Sequence, residues 1–156
     1  MGKLANFKKF NENGVYWGVV AAGILPLCKE TGRLLVCHRS IYVHEPGTWG
    51  IFGGKVDFDN PSENDIMDAA LRELEEETEY TGQMELIPAY VFKDEDKFSY
   101  HNFIGLVDEE FKPILNWEND KYRWMTFEDL DNLNKKHYGL VKLLANSTDL
   151  IKKYLD

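Results

Sequence analysis

The run Arg72-Glu73-Leu74-Glu75-Glu76-Glu77 sets three carboxylates, Glu73, Glu76 and Glu77, at spacings of three and four residues. On a helix turning 100° per residue they fall within a sector of roughly 100° on one side. Like charges so placed oppose each other by a few tenths of a kcal/mol per pair in water, and by more where the site is partly desolvated. A hard divalent cation is the natural compensation: Mg²⁺, or Mn²⁺ in its place, takes carboxylate oxygens and recruits further ligands from water and substrate phosphates. Taken by itself, a run of glutamates on a helix is usually a solvated face.

The elements that must hold these carboxylates follow from the neighbouring residues. Met67, Ala70, Leu71, Leu74 and Thr78 recur at helical spacing on an adjacent sector, so one face packs on a core while the acidic face stays accessible. The helix is expected over residues 60–80, capped either by Asn60 ahead of Pro61 or by Ser62 with Asp65 three residues on. Just upstream, Trp49-Gly50-Ile51-Phe52-Gly53-Gly54-Lys55-Val56 is strand-like and broken by paired glycines, which permit close backbone approach or unusual dihedrals before the helix.

Paired glycines followed by Arg72-Glu73-Leu74 and Glu76-Glu77 resemble the Nudix hydrolase signature: a glycine, a glutamate, then R-E-aliphatic-x-E-E-x-G-aliphatic. The flanks fit the same family, with a hydrophobic strand ending at Arg39 upstream and the stretch Trp117-Glu118-Asn119-Asp120-Lys121-Tyr122-Arg123-Trp124 downstream. The resemblance extends over roughly three quarters of the chain and rests on a specific motif. Two departures stand out. Between Gly54 and Arg72 the chain is about four residues longer than the common signature, close to one helical turn. The first signature glutamate therefore has no unambiguous counterpart: Glu63 is the nearest nominee, and Asn60 takes the ungapped position. Glu79 stands where the family usually has a glycine, which leaves Gly82 to end the helix.

The resemblance implies an α/β/α sandwich with a mixed β-sheet, and hydrolysis of a nucleoside diphosphate linked to another moiety. It implies that Glu73, Glu76 and Glu77 hold Mg²⁺ or Mn²⁺, with the Gly53 carbonyl as a further ligand. Arg72, four residues before Glu76, is expected to orient a carboxylate. Lys55 is expected beside the phosphates or the leaving group, although a strand-end lysine is as readily solvated. The proton acceptor is either Glu76 or Glu77 or an acid from a later loop. Asp94, Glu95, Asp96 and Glu118 are the candidates there, each also readable as a solvated loop acid.

Length and composition bound the rest. A chain of 156 residues with 44% hydrophobic content buries one sizeable core, and no linker or low-complexity stretch divides it, so residues 1–156 are expected to form one domain. The net charge of −9 opposes an extended nucleic-acid or anionic-membrane surface, which needs clustered Lys and Arg. A small phosphorylated nucleotide bound through metal remains compatible, as does a homodimer. Cys28 and Cys37 are too few for a disulfide framework and read as buried thiols. No long apolar run suggests a leader or a membrane span, so a cytoplasmic setting is expected.

Strands are expected near residues 16–26, 33–39, 48–52, 83–92, 98–107 and 122–125, and further helices over 128–132 and 138–154. The triplet Asn146-Ser147-Thr148 reads as a break within the last helix rather than a glycosylation site. Tyr16, Trp17, Arg39, Tyr42, His44, Trp49, Tyr100 and His101 are candidates for a base or sugar pocket, with Arg39 the foremost for phosphate and Lys55 its companion. Two other readings use the same residues. One is a degenerate Nudix domain that binds a nucleotide without hydrolysing it. The other is an interaction domain whose acidic helix meets a protein partner.

Overall fold

The computed structural model describes residues 9–10, 16–17, 19–95 and 97–155. Two short strands, β1 (Lys9–Phe10) and β2 (Tyr16–Trp17), pair with each other. The chain continues through β3 (Val19–Cys28), β4 (Leu34–Arg39), β5 (Trp49–Gly50), β6 (Phe52–Lys55), α1 (Glu63–Thr78), β7 (Glu85–Asp94), β8 (Phe98–Val107), β9 (Asn119–Met125), α2 (Phe127–Asp131) and α3 (Tyr138–Lys153).

Among the described residues, β3 to β9 form a seven-stranded mixed sheet. β3 runs parallel to β8 along its whole length, from Val19 opposite Phe98 to Cys28 opposite Val107, and the other pairings are antiparallel. All of β3 is buried except Val20, which is why it reads as an unbroken apolar run rather than an alternating one. One sheet face packs Leu25, Leu27, Leu34, Val36 and Ile104 against Leu130 of α2 and Leu140, Leu143, Leu144 and Ile151 of α3. The other packs Ala22, Ile24, Leu35, Cys37 and Phe52 against Ile66, Ala69, Ala70 and Leu74 of α1. The result is the expected α/β/α sandwich.

Past Ile51 the chain re-enters the sheet as β6, beyond the strand expected to end near residue 52, and carries the paired glycines inside it: Gly53 lies opposite Gly23 and Gly54 opposite Ala22. Of the two proposed caps, the structure uses Ser62. Its hydroxyl accepts from the Asp65 N–H at 3.1 Å, and the Asp65 carboxylate accepts from the Ser62 N–H at 2.9 Å, a reciprocal capping box. Asn60 stays in the preceding turn at φ 49°. The far end of α1 corrects the expectation for Gly82. Glu79 itself takes the left-handed conformation at φ 60°, ψ 18°, and its N–H donates to the Glu75 carbonyl. The buried face of α1 is also rotated from the expected one: Ile66 and Ala69 join Ala70, Leu74 and Thr78, while Leu71 is exposed.

α3 is interrupted at Ser147 (φ −127°), within the triplet that signalled a break, and the Ser147 hydroxyl accepts from the Tyr90 N–H of β7 at 3.2 Å. Cys28 and Cys37 are buried free thiols. No helix among the described residues is long and apolar enough to cross a membrane.

Candidate active site

α1 lies across β3 and β6 so that its acidic residues meet the paired glycines. Glu77 reaches furthest in. Its side chain is 3% exposed, which corrects the expectation that all three carboxylates share an accessible face. One carboxylate oxygen accepts from the Gly53 N–H at 3.0 Å and the other from the Asn119 side-chain amide at 3.1 Å. Burial pushes the Glu77 pKa well up; the Glu118 and Glu73 charges add to this, and the two donors oppose it. Helical periodicity groups Glu77 with Glu73 and Glu76 and does not show that it turns inward. It cannot show that a strand 42 positions later supplies a donor.

Glu73 is half-buried over Gly54. A Cβ on Gly54 would lie 2.5 Å from the Glu73 carboxyl carbon, so the absent side chain is the space the carboxylate occupies. Its pKa is raised to about 7 by burial first, then by Glu76 and Glu118, with Arg72 opposing. Glu76 is exposed, 3.8 Å from the Arg72 guanidinium, and Arg72 also lies 3.7 Å from Asp57 just beyond β6. Asp57 is thus brought to Arg72 without any signal from the signature spacing. Glu118, immediately before β9, is set by its carbonyl accepting the Ser40 N–H at 2.9 Å. Among the later acids, its charge bears on both Glu73 and Glu77. Glu63 is not brought to the cluster. It opens α1, ten residues before Glu73, roughly 15 Å along the helix axis, and its charge acts on His101 instead.

A family profile described as the NUDIX domain matches residues 18–145. The chain belongs to the NUDIX domain family. It is 28% identical over 134 residues to the Putative 8-oxo-dGTP diphosphatase 3 of Mycobacterium tuberculosis, covering 79% of this chain and 60% of that protein. The chain therefore spans about 60% of the length of the curated relatives it matches. Among solved structures it is similar to the Nudix hydrolase RenU of M. smegmatis, with a TM-score of 0.68, 22% identity and coverage of 94% of this chain and 92% of that one. It is similar also to a C. elegans Ap4A hydrolase in a binary complex, with a TM-score of 0.65, 21% identity and coverage of 86% and 98%. These two share its fold.

Within this NUDIX domain the donor set suits a hard cation. Glu73, Glu76, Glu77 and Glu118 offer oxygen alone; the pKa values of Glu73 and Glu77 are raised chiefly by burial, and the charges of neighbouring carboxylates add to it. Among the described residues no three acidic, histidine or cysteine side chains stand close enough together to ligate an ion as they are. Glu77 is turned inward to its two donors, and Glu76 outward.

The nominated substrate residues divide between the two sheet faces. Strand alternation puts Lys55 on the face opposite the one that Gly54 presents to Glu73. The Tyr100 hydroxyl packs over Gly23 and Gly53 on that same opposite face, whereas the next residue along the strand, His101, faces the other way. Arg39 donates to the His44 carbonyl at 2.7 Å and so holds its own loop; its charge also lowers the pKa of half-buried His137, after burial. Tyr42 is exposed, as is His44. Trp49 packs edge-on to His38 at 5.0 Å and beneath Arg123. Beside Tyr100 the structure adds an aromatic group that the sequence did not nominate, with Phe92 5.5 Å from Tyr138 and Phe98 6.4 Å from Tyr100 between ring centres. The side chains of Tyr16 and Trp17, and all of Asp96, lie outside the described residues.

Proposed function

We propose that this NUDIX domain is a metal-dependent hydrolase that cleaves a phosphoric anhydride bond in a nucleoside diphosphate linked to another moiety. The observation that carries this reading is the meeting of Glu73 and Glu77, from one helix, with the Gly53-Gly54 pair of β6 and the charge of Glu118 from a separate loop. Folding brings like charges together against their mutual repulsion, which is expected of a site that a cation completes.

Mg²⁺ or Mn²⁺, when bound, neutralises phosphate charge and makes a bound water acidic enough to act as nucleophile. Glu73, Glu76 and Glu77 are the residues that hold it, with the Gly53 carbonyl beside them. Arg72 orients Glu76 from one turn away. Glu118 is favoured among the later acids as a further ligand or the proton acceptor, because its charge reaches both inner glutamates. Lys55, on the sheet face away from Glu73, and Arg39, which donates to the His44 carbonyl, are set apart from the carboxylates and are assigned to the leaving group. A small anionic nucleotide is consistent with a chain of net charge −9, since the metal supplies the positive charge that the surface lacks.

The second reading is a domain that binds a nucleotide without cleaving it. The observation favouring it is that, among the described residues, no three of the acidic side chains stand close enough together to ligate an ion as they are. Product release decides between the two. The purified protein is assayed with nucleoside triphosphates including 8-oxo-dGTP, dinucleoside polyphosphates including Ap4A, nucleotide sugars and 5′-triphosphate RNA, with Mg²⁺ or Mn²⁺. Cleavage lost by orders of magnitude in folded Glu76→Gln and Glu77→Gln supports the hydrolase, and the products name the bond. No release from any substrate, with tight nucleotide binding by calorimetry, supports the second reading.

A further inference from the structure

We infer that Asn119 is a positioning residue for Glu77, holding its carboxylate in a two-donor cradle so that its outward lone pairs meet the metal; this rests on the hydrolase reading above. An ionised carboxylate has about four lone-pair sites and accepts only. The Gly53 N–H occupies one site on one oxygen and the Asn119 amide one site on the other. Each oxygen keeps a site for a cation, and the plane of the group is fixed by partners on two separate strands. A single donor would leave it free to turn.

The path of β9 supplies an independent observation. Tyr122 and Trp124 pack on the sheet face that carries α1. Strict alternation would send Asn119, at odd spacing from both, to the opposite face. The pairing with β4 does not run evenly: His38 lies opposite Lys121 and Arg39 opposite Asn119, so Asp120 is an extra residue in the ladder. That bulge turns Asn119 onto the face of α1, where it meets Glu77. Its carbonyl neighbour Glu118 is fixed in the same turn by the Ser40 N–H. Asn119 is 6% exposed, and its amide nitrogen is the only part of the side chain that can face an ionised carboxylate favourably. The signature points to α1 alone and gives no hint of a residue on a later edge strand.

The test measures Mn²⁺ binding to the purified full chain by electron paramagnetic resonance, beside kcat, KM and melting temperature. Asn119→Leu removes the donor at similar volume. Asn119→Ser removes its reach without adding apolar bulk, so that misfolding of the first variant does not obscure the result. Both are expected to weaken Mn²⁺ binding by about ten- to hundredfold and to lower kcat with little change in KM. Asn119→Gln, which keeps an amide donor, is expected to recover most of the affinity. Wild-type Mn²⁺ affinity in either folded donor-less variant, even with a lower melting temperature, overturns the positioning role. If Mn²⁺ binding is lost in Glu77→Gln and kept in Asn119→Leu, only that role falls. If the unaltered chain binds no Mn²⁺, the hydrolase reading falls and this inference with it.

Discussion

Glu73→Gln tests whether the acidic cluster is a site or a solvated helix face. In the fold, Glu73 titrates at about 7 against an ordinary value of 4.5, chiefly because it is buried and then because Glu76 and Glu118 stand near. At roughly 1.4 kcal/mol for each tenfold step, that gap sets a ceiling of about 3.4 kcal/mol on the cost of ionising it in the folded state. The side chain is only half-buried, and solvent screening brings the expected effect down to about 1–2 kcal/mol. The sign is fixed by linkage. A carboxyl whose folded pKa lies above its unfolded one binds more protons when folded, so stability falls as pH rises from about 4.5 through about 7 and levels off above. Glutamine has no such loss. In chelator the variant is therefore expected to match the wild type near pH 4.5 and to exceed it at pH 8. At about 2–4 °C per kcal/mol for a chain of this size, the difference in melting temperature is about 2–8 °C. Mn²⁺ at pH 8 is expected to reverse the order, because the wild type gains the binding free energy and the variant loses it. Parallel melting curves for the two proteins across pH in chelator, with no reversal by Mn²⁺, would refute the reasoning and leave Glu73 a solvated residue.

Gly54→Ala sets a methyl group against the Glu73 carboxylate, a movable chain end. It is expected to fold and to lose roughly a hundredfold in turnover, read by steady-state kinetics beside circular dichroism. Gly53→Ala meets the Ala22 carbonyl and the Gly23 Cα, which are backbone; a loss of about 3 kcal/mol or more by denaturant titration is expected. Glu79→Gly relieves a left-handed non-glycine residue at φ 60° and a negative charge at a helix C-terminus. It is expected to raise stability by about 1 kcal/mol, a melting temperature about 2–4 °C higher, with unchanged kcat/KM.

What the sequence makes legible is what local period and local chemistry determine. The 3.6-residue period locates α1, Ser62 with Asp65 announces its start, and the aromatic and aliphatic run from residue 98 to 107 locates β8. The limits of local reasoning appear at Glu77 and Leu71. Both follow from the rotation of α1 on the sheet, which depends on Gly54 leaving room for Glu73 and on Gly53 and Asn119 receiving Glu77. An apolar residue is left outside and a charged one drawn in because two distant donors and a gap in the sheet outweigh the side-chain type. Asn119 is beyond a period-based reading for a further reason: the extra residue at Asp120 reverses the face that alternation assigns to it.

The two ends of α1 carry opposite energetics. Its N-terminal half has the capping box, acidic residues in the first turn and the apolar side chains Ile66, Ala69 and Ala70 on the core. The cap and the helix dipole there together contribute about 1–2 kcal/mol in favour of the helix, before any burial is counted. Its C-terminal half gathers Glu73, Glu76 and Glu77 and ends on left-handed Glu79, with no basic residue in the last turn. Each of these features works against an isolated helix. The helix is thus anchored from the end away from the carboxylates, through contacts that do not depend on their ionisation. Titration or metal release can change the electrostatics around Glu73 and Glu77 while the packing of Ile66, Ala69, Ala70 and Leu74 holds the register of the helix on the sheet. On this arrangement, loosening in metal-free protein at high pH is confined to the last turns of α1 and the strand ends that meet it. Hydrogen exchange should then accelerate at residues 75–80 and at Gly53, while the amides of residues 66–70 keep their protection.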